Sequence, residues 1–144
     1  MERYKLLNGV EIPCIGTGPS AIYRILDSRK WSWVAKIPFM GHLSYRVINK
    51  LRSIPVEHKY VKVLAESLKA GYRLIDYSNA YGDGKLIGKA IRKSGVDRKD
   101  IFIVSKASNR DQYRGEVREA FMQSLSNLGV DYIDIYMSFF IIKK

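Results

Sequence analysis

Five residues in the second half of the chain, Ile101–Ser105 (IFIVS), carry no charge and no break, and that run constrains the fold more than any other. A strand with one wet face alternates apolar and polar residues. An uninterrupted apolar strand is of the sort buried on both sides in a parallel sheet. Parallel strands need crossover connections, and helical patterns flank this one. Before it, Lys85–Lys93 places Leu86, Ile87, Ala90 and Ile91 on one face and stops at Gly95; after it, Arg114–Asn127 does so with Val117, Phe121, Leu125 and Leu128, closed by Gly129. A third helix is expected over Val56–Ala70, with Tyr60, Val61, Leu64 and Leu68 inward and Gly71 as its cap. Strands are expected at Cys14–Gly18, Tyr72–Ile75 and Tyr132–Met137, preceded by a hairpin of Arg3–Leu7 and Val10–Pro13 around Asn8-Gly9, a two-residue turn signal. Alternating strands and helices with short connections imply right-handed βαβ units and the α/β class.

Two of these strands end in residues that can do proton chemistry. Asp76 follows Tyr72–Ile75, Tyr81 lies in the loop beyond it, and Lys106 follows Ile101–Ser105. A tyrosine is a poor acid at neutral pH; a neighbouring ammonium favours the phenolate and eases proton donation, and a carboxylate beside the lysine keeps it charged and oriented. Taken singly, each residue has a plainer reading. Buried Asp–Lys pairs are commonly structural, and a tyrosine in a loop is commonly a packing residue.

Their joint placement resembles the aldo-keto reductases. The signature Gly71, Tyr72, Arg73, Ile75, Asp76, then Tyr81 and Gly88 stands in family order, with Leu74 at the usual His position. Ile103-Val104-Ser105-Lys106 matches a second motif, Leu128 to Tyr136 a third, and Leu7 to Gly18 the family's opening hairpin and first barrel strand; together these cover about two thirds of the chain. The resemblance implies NADPH-dependent reduction of a small carbonyl substrate. Tyr81 would be the general acid, Lys106 its activating cation and Asp76 the group that holds Lys106. Gly16 and Thr17, with Asp76, would approach the nicotinamide end of the cofactor; Gly18, Ser108 and Asn109 would line the substrate pocket. No metal is implied.

Two departures qualify that expectation. The family's catalytic His beyond the fourth strand aligns with Phe139, which offers no hydrogen-bond donor, and neither His42 nor His58 replaces it by motif. The family fold is an eight-stranded α/β barrel needing roughly 250 residues. At 144 residues, this chain reads as the N-terminal half of a (β/α)8 TIM barrel, one truncated domain inactive as an isolated chain. The edges of its first and fourth strands, and the tail FFIIKK, would then favour self-association. The alternative is a non-catalytic half-barrel that serves as an interaction or regulatory protein.

That alternative draws on Pro19–Pro55, an insertion after the first barrel strand with Trp31, Trp33, Phe39 and Tyr45, and with Leu43, Val47, Ile48 and Leu51 at helical spacing. Loops after barrel strands lie on the catalytic face, so a lid is expected, ahead of contact with an anionic membrane surface or partner. Much of the net charge of +11 falls here, yet no nucleic-acid recognition motif accompanies it. The single Cys14, beside Pro13, is expected in the core and cannot form an internal disulfide. With no signal peptide and no membrane-length apolar run, the expected address is the cytoplasm.

Overall fold

The computed structural model describes residues 2–18, 42–81 and 83–138, with the backbone alone given for 42–53. The elements run β1 (Arg3–Lys5), β2 (Glu11–Pro13), β3 (Gly16–Thr17), α1 (His42–Lys69), β4 (Leu74–Asp76), α2 (Gly84–Ser94), β5 (Phe102–Ala107), α3 (Asn109–Arg114), α4 (Val117–Leu128) and β6 (Ile135–Ser138). Single 3-10 turns stand at Asn79–Tyr81 and Arg98–Asp100. The hairpin β1–β2 is antiparallel, and β3-β4-β5-β6 form a parallel sheet in chain order, as the α/β half-barrel reading requires.

Every residue of β5 is buried, which is why its sequence shows no alternation. Its two faces nevertheless have different company. Ile103, with Ile75 of β4 and the neighbouring Ile101, joins the core formed by Val61, Leu64, Ala65 and Leu68 of α1, Ile87, Ala90 and Ile91 of α2, and Leu128 of α4. Side chains alternate across a strand, so Phe102, Val104 and Lys106 share the opposite face, and so do Leu74 and Asp76 on β4. The register pairs Asp76 with Val104 and Lys106 with Met137. The chain thus brings both charged groups to one face, at the carboxyl ends of adjacent strands.

Several expectations are corrected. The hairpin loop has three residues, Leu7–Gly9, between a Leu6 N–H donating to Val10 and a Gly9 N–H donating to Leu6; Gly9 at φ 86° takes the left-handed position such loops need. The first sheet strand is Gly16–Thr17 alone, and Cys14 is exposed; Pro13 is the buried residue there, because Cys14 and Ile15 lie in the link between hairpin and sheet, outside either ladder. The helix expected from Val56 begins at His42 and runs through Pro55. Pro55 is exposed, where water can serve the carbonyl that its missing N–H leaves unbonded. The helix expected over Arg114–Asn127 is α4, which starts three residues later; Gly115, with φ 73°, a conformation side-chain-bearing residues rarely adopt, separates it from α3, a short helix that was not expected. Val117, at the start of α4, is exposed rather than inward. The last strand begins at Ile135, because the Asp134 carboxylate occupies the Ile103 N–H just before it.

The segment 19–41, with Trp31, Trp33 and Phe39, lies outside the described residues, as do the side chains of residues 42–53, Phe139 and residues 140–144. The lid, the membrane and partner surfaces proposed for the insertion, and the pairing of the FFIIKK tail fall there. Among the described residues no helix is long and apolar enough to cross a membrane, and no cluster of metal ligands occurs.

Candidate active site

Asp76 closes β4, and the chain then continues without losing its grip on the sheet: the Tyr77 N–H donates to the Val104 carbonyl at 2.8 Å, one step beyond the regular ladder. The next residues turn. Ser78 is buried, donates through its hydroxyl to the Lys106 carbonyl at 3.4 Å, and accepts from the Ala80 N–H. The Tyr81 N–H donates back to the Ser78 carbonyl at 2.9 Å, closing the 3-10 turn that carries the phenol. Ser78 thereby ties the Tyr81 turn to the strand that bears Lys106.

The Lys106 ammonium is ion-paired with the Asp76 carboxylate, and its nitrogen stands 5.9 Å from the centroid of the Tyr81 ring. The Lys106 side chain is 8% exposed and that of Asp76 47%. A cation, its counter-ion and a phenol therefore meet at the end of the sheet, with one side open to solvent. The trio expected from the motifs is one cluster in space. Such a cluster can donate a proton to an oxygen placed above the phenol, with positive charge at hand as negative charge develops on the ring oxygen.

The remaining site residues divide. Gly18 lies beside Asp76: a side chain there would stand 3.8 Å from the Asp76 carbonyl. Thr17 is half-buried and pairs with Ile75, while Gly16 is pressed so closely on Leu74 that a Cβ would collide with it. On the β3 side of Asp76 the chain thus presents the backbone of Gly16 and Gly18, whereas Thr17, paired with Ile75, belongs to the opposite face. Ser108 follows Lys106 closely, but its hydroxyl is engaged in a capping box with Asp111, donating at 2.7 Å and accepting from the Asp111 N–H. Asn109 is exposed at the first turn of α3. His58 lies in a groove between α1 and α2 with Val61, Leu86 and Lys89, on the helical side of the sheet and away from the trio.

Three residues of this region carry no signal in the motifs. Tyr77 is wholly buried, and its hydroxyl donates to Asn79. Asp83, 2% exposed, accepts from the Tyr60 hydroxyl at 3.1 Å while its Oδ1 has no partner. Burial pushes the Asp83 carboxyl above its ordinary range, opposed in part by the Tyr60 hydrogen bond. Burial also pushes the Tyr60 phenol up, reinforced by the Asp83 charge.

Residues 50–141 match the model of the aldo/keto reductase family. The chain is 36% identical over 99 residues to an aldo-keto reductase of Mycobacterium sp. (strain MCS), 62% of this chain and 35% of that protein. It is 40% identical over 74 residues to morphine 6-dehydrogenase of Pseudomonas putida, 51% of this chain and 25% of that protein. It therefore spans about a quarter to a third of the length of these relatives. Among solved structures, the aldo/keto reductase of Brucella melitensis superposes with a TM-score of 0.64 at 32% identity, covering 94% of this chain and 40% of that one. The Bombyx mori aldo-keto reductase, solved in complex with NADP, superposes with a TM-score of 0.66 at 25% identity over 94% of this chain and 36% of that one. With its matched span exceeding half its length, its four parallel strands superposing on these barrels and its signature residues gathered at the strand ends, this chain belongs to the aldo/keto reductase family.

Proposed function

We propose that this chain carries the proton-donating half of an NADPH-dependent reduction of a small aldehyde or ketone, with Tyr81 as general acid. The observation that carries the proposal is the placement of the Lys106 ammonium, paired with Asp76 and 5.9 Å from the Tyr81 ring centroid. NADPH, when bound, supplies the hydride to the carbonyl carbon. The Tyr81 hydroxyl donates its proton to the carbonyl oxygen. As that proton leaves, the Lys106 cation stabilises the negative charge that appears on the phenol oxygen, and Asp76 fixes the cation in place. Gly16 and Asp76 would face the nicotinamide end; Gly18, Ser108 and Asn109 would border the substrate. The reducing conditions suited to NADPH chemistry and a lone Cys14 favour a cytoplasmic address.

Four parallel strands, half the number in such a barrel, are described in these 144 residues. We propose that the 144-residue polypeptide alone has no saturable affinity for NADPH at micromolar concentration and does not reduce simple aldehydes above background. Fluorescence titration with NADPH and an absorbance assay with a reactive aldehyde test that part. A graft tests the acid directly: residues 71–138 replace the corresponding span of the Mycobacterium aldo-keto reductase. The graft is expected to reduce aldehydes, with kcat falling about 100-fold or more on Tyr81→Phe. An active graft indifferent to Tyr81→Phe would remove Tyr81 from the reaction.

A further inference from the structure

The turn that carries Tyr81 is held from behind by a side chain that the acid chemistry does not use. Asn79 stands two residues before the phenol, and its side chain makes three hydrogen bonds. Its Oδ1 accepts from the Tyr77 hydroxyl and, at 3.3 Å, from the Asn127 amide; its Nδ2 donates to the Ala120 carbonyl at 2.8 Å. Ala120 and Asn127 both belong to α4, 41 and 48 residues further along the chain. Tyr77 is wholly buried, so one end of this network is fixed in the core. Gly84 completes the fit: a Cβ there would collide with the Tyr77 hydroxyl, so the first residue of α2 leaves the space this phenol occupies.

Two anchors therefore clamp one short turn. Ser78 binds it to β5 at the Lys106 carbonyl, and Asn79 binds it to α4. A turn held at a single point can swing; held at two, it fixes where the residue at its end points. We propose that Asn79 is a positioning residue, through which α4 sets the Tyr81 ring against the Lys106 ammonium. The inference rests on Tyr81 acting as the acid, but its geometry can be measured without cofactor or substrate.

The test is a nuclear Overhauser contact between Tyr81 ring protons and the ε-methylene of Lys106 in the full 144-residue chain, assigned with Tyr81→Leu. The contact is expected in the wild type and lost in Asn79→Ala. Asn79→Asp keeps both acceptor bonds but has no N–H for the Ala120 carbonyl, and is expected to weaken the contact by half or more. If Asn79→Ala fails to fold, Asn79→Asp, which has the same size, decides. A contact of wild-type strength in the folded variants overturns the proposal. In the graft, Asn79→Ala is expected to lower kcat about tenfold or more with KM within about twofold; an unchanged kcat also overturns it. An inactive graft with an Asn79-dependent contact would fault the acid chemistry and leave the positioning intact.

Discussion

Lys106 and Asp76 form an ion pair whose two ends live in different surroundings: the lysine side chain is 8% exposed and the aspartate side chain 47%. The carboxylate can be hydrated whether or not its partner is present. The ammonium draws its compensation from inside the protein. The pair is therefore energetically lopsided, and its two halves will not respond alike to mutation.

Asp76→Asn keeps the shape of the side chain and strips a buried cation of its counter-ion; a loss of about 1–3 kcal/mol is expected. Lys106→Met replaces the cation with an apolar side chain of similar length and leaves a carboxylate that water can serve, so a change within about 1 kcal/mol of wild type is expected. Urea unfolding at neutral pH measures both. Equal losses would mean that the attraction between the charges, rather than the burial of one of them, dominates.

The helix α2 approaches its neighbours through two glycines, and they fail differently. A Cβ on Gly84 would meet the buried Tyr77 hydroxyl and the Asn127 Cβ, side-chain atoms that can give way only by moving their neighbours. A Cβ on Gly88 would overlap the backbone carbonyl of Leu128, which has no freedom to shift. Gly84→Ala is expected to cost about 1–3 kcal/mol, partly recovered in the Tyr77→Phe background. Gly88→Ala should cost more, pushing α2 and α4 apart. Thermal unfolding of the three variants gives the order, and a milder Gly88→Ala would contradict it.

At the other end of the sheet Arg98 acts as a rivet. Its guanidinium donates to the Ile101 and Tyr132 carbonyls and to Asp134 Oδ2 at 2.7 Å, and lies 3.9 Å over the Tyr132 ring. Asp134 in turn accepts from the Ile103 N–H at 2.9 Å, so the cluster fastens the start of β6 to β5. Both charged side chains are about four-fifths buried. Arg98→Ala is expected to cost about 2–4 kcal/mol. Arg98→Lys should recover only a minor part, because an ammonium lacks the planar fork that reaches several acceptors together. Denaturant midpoints check this, and a lysine variant of wild-type stability would refute the geometric account.

How much of this was legible beforehand depends on whether the controlling interaction is local. Ile101–Ser105 announces a doubly covered strand because burial on two faces leaves its mark on consecutive residues. Asp76, Tyr81 and Lys106 stand out through their place in motifs, and strand alternation then puts Asp76 and Lys106 on the same face. The break between α3 and α4 was also written locally, in the Ser108–Asp111 capping box and Gly115, but the apolar spacing from Val117 onward drew the helix too far back. Cys14 looks like a core residue beside a strand, and only the shortness of β3 leaves it exposed. Asn79 is legible nowhere in its own neighbourhood. Its partners on α4 are set by how that helix packs, which no local pattern encodes.

The last expectation concerns Asp83, a carboxyl buried behind the Tyr81 turn with Oδ1 unpartnered. Burial raises its pKa in the folded chain above the ordinary 3.8. The folded state therefore holds this proton more tightly than the unfolded state does. Its stabilising contribution is fully present below pH 3.8 and is lost as pH rises through the higher folded value. Asp83→Asn cannot titrate, yet its amide oxygen can still accept from Tyr60. The stability of Asp83→Asn relative to wild type should thus increase from about pH 4 upward and level off once the buried carboxyl has ionised. The slope is the diagnostic quantity, since burying an amide N–H adds a constant offset at every pH. Tyr60→Phe should steepen the trend: without the phenol hydrogen bond that favours the carboxylate, ionising Asp83 costs the fold more. Urea titrations of the three variants across pH 4–8 measure the difference curves. A difference between Asp83→Asn and wild type that stays flat would mean that Asp83 ionises in the fold as readily as in the unfolded chain, and one that falls with pH that it ionises more readily there.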